Sequence, residues 1–407
     1  MKRNNCLVCH SDNLKKIFDL GNHPYADTFL NQAAKHRMLR VYNLSCQLCE
    51  DCGNIQLETQ TSAEDRYSEN DYSYTSSNSS VSKRHWQNFY EVTKRFANLN
   101  SDSFVCEIGS NDGFLLGQYK ETVKSVLGVD ASPYMADLAN RSGVNTEVAI
   151  FNSDVSHKIL EKHGSADLII ANNVFNHSET PLNFLQGVKK LLSENGTFVF
   201  EVPYWKILVD SGKIDQIYHE HVTYMTVKSV EKMTELTGLV VVDVDVVDYH
   251  GGSLRVFIKH QDCQSDRLEG KINNMIHLEN ESGLFDVKTY DRMREEIKDR
   301  KIKFLKKVYK IKSNGGSIVA VGAAAKGNTL LNYLNLDASI VDCLTDSSVH
   351  KIGKYSPLSN IPIVNDDELL KYKDVNVLIL SWNIADIIKK KLKTINKNIK
   401  FLNFYDF

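Results

Sequence analysis

The 407-residue chain has no apolar run near the roughly 18 residues that cross a bilayer. Its first residues, Met1-Lys2-Arg3-Asn4-Asn5, lead into a cysteine pair with no apolar h-region. These absences predict a soluble, cytoplasmic protein with no membrane partner. Basic charge is not massed anywhere: 49 Lys and Arg stand against 51 Asp and Glu, for a net charge of −2, so nucleic acid is not an expected partner. Eight cysteines are too few for a disulfide scaffold in a chain this long. Also missing are the G-x-G-x-x-G fingerprint, a Walker A loop, the H-E-x-x-H zinc-protease motif and any solenoid period, which removes the functions those patterns carry.

Five of the eight cysteines lie within the first 52 residues. Cys6-Leu-Val-Cys9 is followed by two overlapping C-x2-C options, Cys46/Cys49 and Cys49/Cys52. Two such pairs supply four thiolates for a tetrahedral structural Zn2+ site in a reducing compartment. Tyr42, Leu44, Cys46 and Leu48 alternate with polar neighbours, so Cys46 belongs to one face of a strand. Cys49-Glu-Asp-Cys52-Gly53 has the glycine a tight metal turn needs, and Cys6, Cys9, Cys49 and Cys52 are the predicted ligands.

At 104 the pattern changes to alternating strands and helices, with strands at 104–108, 125–129, 144–148, 166–171 and 197–202. This alternation predicts an open α/β fold with a mostly parallel sheet and its ligand at the strands' C-terminal ends. The first strand runs into Glu107-Ile-Gly-Ser-Asn-Asp-Gly113, a glycine loop expected to open an amphipathic helix. Gly109 and Gly113 let the backbone approach a nucleotide-like ligand. Glu107 and Asp112 would repel a pyrophosphate, so a sulfonium nucleoside such as S-adenosylmethionine fits better than a dinucleotide. Asp130, ending the second strand, can accept from ribose hydroxyls. Asn172 ends the fourth strand, where the donor's methionine half or the acceptor would lie, and Phe151 is placed to cover the adenine.

Proton carriers then cluster. His177 follows the fourth strand, and Tyr218-His219-Glu220-His221 follows the fifth. The two motif histidines stand at i and i+2, so they cannot share a helix face as metal ligands. A general base with an orienting carboxylate is the preferred reading. Next, His250-Gly-Gly-Ser253 turns into a strand, with His250 and Arg255 positioned for a sugar or phosphate. Residues 265–312 read as a solvated helical connector. From Ser317 a second strand, glycine loop and helix repeats the first in plan, with Lys326 and Asn328 in place of the acids. Lys351 lies on a later loop, so a phosphate-bearing ligand is expected there.

This order of motifs, together with the Tyr72-Ser-Tyr74-Thr-Ser-Ser77 loop, resembles the S-adenosylmethionine-dependent C-methyltransferases of nucleotide-linked keto-sugars, typified by deoxysugar C-3 methyltransferases. The resemblance covers almost the whole chain. It implies a class I methyltransferase sheet (65–262) between a zinc-binding domain (1–64) and a helical connector with a Rossmann-like nucleotide-sugar domain (263–407), acting as a monomer. It also implies that Tyr218, Glu220 and His221 line the acceptor site with His177 and Tyr72, and Tyr74 less directly. His219 departs from the family's shorter acidic residue, and Lys326-Gly327-Asn328 carries an extra glycine. The implied reaction begins with proton removal by His221, oriented by Glu220, from the carbon beside a ketone. Competing readings are O-methylation of a sugar hydroxyl and a zinc-containing binding protein without catalysis.

Overall fold

The structure is a computed structural model, and it describes residues 2–32, 38–62, 66, 75–77 and 79–407. Strands β1 (Leu14–His23), β2 (Tyr42–Cys49) and β3 (Ile55–Leu57) form an antiparallel N-terminal sheet. Seven further strands, in order β10-β11-β8-β7-β4-β5-β6, form the central sheet. They are β4 (Phe104–Ile108), β5 (Ser125–Asp130), β6 (Thr146–Val148), β7 (Ala166–Ile170), β8 (Leu192–Pro203), then, after the two-residue β9 (Thr223–Tyr224), β10 (Leu239–Val247) and β11 (Ser253–His260). All run parallel except β11, which inserts antiparallel between β8 and β10. One reversed strand beside an otherwise parallel sheet is the class I methyltransferase arrangement. β4 lies mid-sheet with every residue buried, which is why it reads as a continuous apolar run around Glu107.

β9 pairs with β3, so the central chain completes the N-terminal sheet and the boundary at 64 is not a clean division. The C-terminal sheet consists of β12 (Ile318–Val321), β13 (Cys343–Thr345), β14 (Ile363–Val364), β15 (Val375–Ile379) and β16 (Ile399–Leu402), all parallel in order β14-β13-β12-β15-β16. Among the described residues no helix is long and apolar enough to cross a membrane.

Before β4, the helix Ser80–Phe96 is capped by the Ser79 side chain, which accepts from the Ser82 amide. It buries Trp86, Phe89 and Tyr90 against the central sheet. The helix expected after Gly113 is a single turn, Phe114–Gly117.

The connector is not solvated throughout. In the helix Glu269–Glu281, the buried Glu279 carboxylate accepts from the Tyr204 hydroxyl and from the Val227 and Lys228 amides. It thereby serves the exposed N-terminal amides of the neighbouring helix Val227–Thr237. The helix Val287–Ser313, about 40 Å long by its 27 residues, buries Tyr290, Met293 and Ile297 in the N-terminal core with Ile17, Phe18 and Leu44. Farther along, Phe304 and Val308 enter the C-terminal core. Its charge hides a narrow apolar stripe that makes it a strut between two domains.

Candidate active site

Loops at the C-terminal ends of β4, β5 and β7 converge. Gly109 has φ +70°, and a Cβ there would stand 2.1 Å from Val174 Cγ2, so glycine lets the β4 loop pass the β7 loop. Asp130 secures the same loop: its two oxygens accept from the Asn111 and Ser132 amides, each at 2.8 Å, and each retains a lone pair. Burial raises the Asp130 carboxyl above its ordinary range. On β4, Glu107 is buried with Oε2 unpartnered among the described residues. Burial first, and then Asp112 and Asp130, push its carboxyl well above the usual range. Asn172 accepts from the Glu201 amide at 2.9 Å and leaves a buried amide nitrogen unpartnered. An orphaned carboxylate oxygen and an orphaned amide N–H, in a pocket held by a second carboxylate, fit a cationic, hydroxyl-bearing nucleoside.

The other predicted donor residues have additional partners. Asp112 accepts from the Ser77 amide at 3.1 Å, the Ser77 hydroxyl at 2.6 Å and the Ser76 hydroxyl. Asn111 accepts from the Ser76 amide at 2.8 Å. Both side chains tie the segment 75–77 onto the glycine loop. Tyr72 and Tyr74, just upstream, lie outside the described residues. Gly113 has φ +75° and its α-carbon packs toward Val144 and Ala139. Phe151 packs edge-on against Phe184, with ring centroids 5.0 Å apart.

His177, Tyr218 and His221 come together from two loops. The His221 ring lies 3.9 Å from that of Tyr218 and 5.3 Å from that of His177, centroid to centroid. His221 Nδ1 is 2.9 Å from the Gln216 carbonyl. A carbonyl only accepts, so Nδ1 carries the proton and the Nε2 lone pair is left to act as a base. Burial pushes His221 down to about 3, so it is neutral at ordinary pH. This corrects one expectation: the group orienting His221 is the Gln216 carbonyl, not Glu220. Glu220 is buried beside Asp27, and its carboxyl is pushed up to about 7 by burial and then by that neighbour. His219 points the other way, edge-on to Tyr25 and Tyr42 of the N-terminal domain.

His250, at φ +52°, is half-buried and within electrostatic reach of His221, His85 and Lys326. The turn that carries it abuts the C-terminal domain: a Cβ on Gly251 would stand 2.3 Å from the Trp382 ring. Lys326 is half-buried over that ring at 4.7 Å, bonded to the Asn383 side-chain oxygen and close to Asp215. Burial lowers it to about 8.

Three predicted substrate residues are engaged elsewhere. Arg255 pairs with the fully buried Glu201, Nε to Oε1 at 2.6 Å, and lies over Phe89. Asn328 donates to the Ala26 carbonyl at 2.7 Å, joining two domains. Lys351 donates to the Ala323 carbonyl at 2.6 Å. Each is held by a local structural bond that sequence spacing does not reveal.

Sequence reasoning missed His85, whose Nε2 is 2.6 Å from Glu201 Oε2 and whose ring stacks on Tyr249 at 3.7 Å. The available signal was a glutamate inside the apolar run Thr197-Phe-Val-Phe-Glu-Val202. It also missed Arg66, which bonds Glu179 and the His177 and His219 carbonyls and so braces both histidine-bearing loops.

The Sγ atoms of Cys6, Cys9, Cys49 and Cys52 all lie within 4.8 Å of one another, with Cys6–Cys52 at 3.6 Å and Cys9–Cys49 at 3.5 Å. Zn–S bonds of about 2.3 Å in a tetrahedron give edges of about 3.8 Å, so the four sulfurs fit zinc and leave no open position. Cys46 is buried in β2 against Tyr224, outside the cluster.

Three families match in chain order: a zinc binding domain at residues 6–67, a methyltransferase domain at 82–244 and a C-methyltransferase C-terminal domain at 248–403. The C-methyltransferase NovU of Streptomyces niveus is 27% identical over 398 residues, covering 98% of this chain and 94% of that protein. Among solved structures, an S-adenosylmethionine-dependent methyltransferase of Clostridium acetobutylicum aligns at 17% identity with TM-score 0.36, over 44% of this chain and 92% of that one. The magnesium protoporphyrin IX methyltransferase of Synechocystis with bound S-adenosylhomocysteine aligns at 14% identity with TM-score 0.35, over 43% and 82%.

Proposed function

We propose that the chain is an S-adenosylmethionine-dependent C-methyltransferase whose acceptor is a carbon, C-3, beside the ketone of a nucleotide-linked 4-keto-deoxysugar. The observation that carries this reading is His221: a neutral imidazole whose Nδ1–H donates to the Gln216 carbonyl and whose ring lies beside those of Tyr218 and His177. A carbon beside a ketone is acidic enough for such a base, because the charge left behind spreads onto oxygen.

In this mechanism Glu107, Asp130 and Asn172 hold the donor, which supplies a methyl carried as an electrophile on sulfonium. His221 takes the proton from the sugar carbon at Nε2, and the Gln216 carbonyl steadies the imidazolium that forms. Tyr218 and His177 face the developing enolate oxygen and hydrogen-bond it. Burial excludes water that would otherwise reprotonate the carbon. His250 and Lys326 carry the sugar's nucleotide end at the interdomain edge, where an ammonium suits a diphosphate. The zinc cluster is structural.

Labelled S-adenosylmethionine incubated with a panel of nucleotide 4-keto-6-deoxysugars, followed by location of the label by NMR, tests the acceptor. The 4-keto sugar should be methylated and its reduced counterpart should not; labelling of the reduced sugar at oxygen would favour O-methylation instead. His221→Asn should lower turnover by about 10³-fold, with donor affinity unchanged by calorimetry. Wild-type turnover in this variant would remove His221 as the base.

A further inference from the structure

Residues 211–222, between the helix Trp205–Asp210 and β9, form neither helix nor strand, yet they carry both His221 and the carbonyl that orients it. Two anchors flank that carbonyl. Ile217, on one side of Gln216, is fully buried in the N-terminal core with Trp205 and Ile214. Asp215, on the other side, is also fully buried, and its Oδ2 accepts from Trp382 Nε1 at 2.6 Å. Trp382 follows β15, so it belongs to the C-terminal domain. Its ring also abuts Gly251, and the Gln216 side-chain nitrogen lies 3.5 Å from the His250 carbonyl next to that glycine. Lys213 and Lys326 stand over the ring at 3.8 and 4.7 Å, and Tyr405 packs edge-on at 5.9 Å. A ring so surrounded is not a platform on which a nucleobase stacks. It is a strut whose N–H is committed to one buried acceptor.

We infer that Trp382 is a positioning residue for His221, acting across the domain boundary: its N–H holds Asp215, which with Ile217 fixes the Gln216 carbonyl and so keeps the imidazole proton on Nδ1. The inference rests on the proposed function, in which the Nε2 lone pair takes the proton from the sugar carbon. A carbonyl orients an imidazole only as well as its own peptide is held, and here no helix or strand ladder holds it, so side-chain anchors must. Without the indole N–H, a buried carboxyl oxygen loses its donor and the peptide that follows is free to turn. The proton then distributes between the two ring nitrogens, and fewer molecules present a free Nε2. Trp382 itself makes and breaks no bond of the reaction. The C-terminal domain, besides carrying the nucleotide end, thereby sets the base of the central domain.

The test uses the full-length, zinc-loaded protein and Trp382→Phe, which keeps a ring against Gly251 and removes the N–H. With the keto-sugar methylated in the panel, kcat should fall about tenfold while both KM values stay within about twofold. In protein labelled with ¹⁵N at histidine, the His221 Nδ1–H resonance is identified by its loss in His221→Asn. It should be protected from solvent exchange in the wild type and exchange about tenfold faster in Trp382→Phe. A measurement on the wild type alone covers a variant that fails to fold: the Trp382 indole N–H and the His221 Nδ1–H should exchange through one opening, shifted equally by low concentrations of urea. Unchanged kcat or unchanged Nδ1–H exchange in Trp382→Phe overturns the inference, as does a loss confined to KM for the sugar or independent opening of the two protons. Absence of methyl transfer by the wild type would count against the proposed acceptor, and proton exchange, which needs no turnover, would then decide on Trp382.

Discussion

The loops after β4 and β12 share more than a plan. Gly109 and Gly322 both have positive φ, both donate to a carbonyl at the end of the second strand (Val129, Thr345), and both lie under the loop after the fourth strand. Asp130 accepts from the Asn111 and Ser132 amides; Asp346 accepts from the Ala323 and Ser348 amides at 2.7 and 2.8 Å. An aspartate ending the second strand is therefore a device for fastening the loop, and by itself it does not mark a cofactor. The difference lies one step earlier. Two residues before the glycine the first unit has Glu107, buried with an unpartnered oxygen, and the second has Ala320, buried in an apolar core. At that position one frame holds a poised carboxyl, and the other holds a methyl group.

Exchanging that position should have the largest effect. Glu107→Gln keeps the shape and removes the charge, so affinity for S-adenosylmethionine should fall at least about tenfold by calorimetry, with little loss of folding stability. Ala320→Glu places a carboxyl in a core with no partner, and should cost about 3 kcal/mol or more in chemical denaturation without creating a second donor site. Equal donor affinity in Glu107→Gln would dissolve the distinction between the two units.

The shared aspartate separates fastening from binding. Asp130→Asn and Asp346→Asn each convert an acceptor oxygen into a donor facing an amide N–H, at a cost of about 1–3 kcal/mol in stability. Only Asp130→Asn should also weaken donor binding. If both variants bind donor as the wild type does, Asp130 fastens its loop and nothing more.

The two units were legible in the sequence because parallel strands buried on both faces appear as apolar runs with glycines at their ends. The zinc ligands were legible because four thiolates in two C-x2-C pairs have few other uses, and the alternation through Cys46 assigned that residue to the core. β9 and β14 escaped notice because two residues carry no periodicity. The helix Val287–Ser313 was misjudged because its charges outnumber a stripe at Tyr290, Met293, Ile297, Phe304 and Val308. In the site, the histidines were found from their own motif. The Gln216 carbonyl was not, since any residue type supplies a carbonyl.

The smallest effect concerns what holds the second loop. Lys351, expected from its position to meet a substrate phosphate, donates to the Ala323 carbonyl at 2.6 Å and lies 5.1 Å from the Phe29 ring centroid. An ammonium bound to a carbonyl of the loop after β12 and packed on an aromatic face is already partnered. Lys351→Met keeps the stem and loses one hydrogen bond and one cation–π contact, so it should cost about 1–2 kcal/mol of stability in denaturant titration. KM for the nucleotide-sugar should rise no more than about threefold, because the loop's backbone remains fastened by Asp346. If Lys351 instead gave a phosphate its charge, KM would rise tenfold or more and the dependence on salt would weaken. The pair of measurements thus tells a lysine that pins the neighbouring loop from a lysine lent to the ligand.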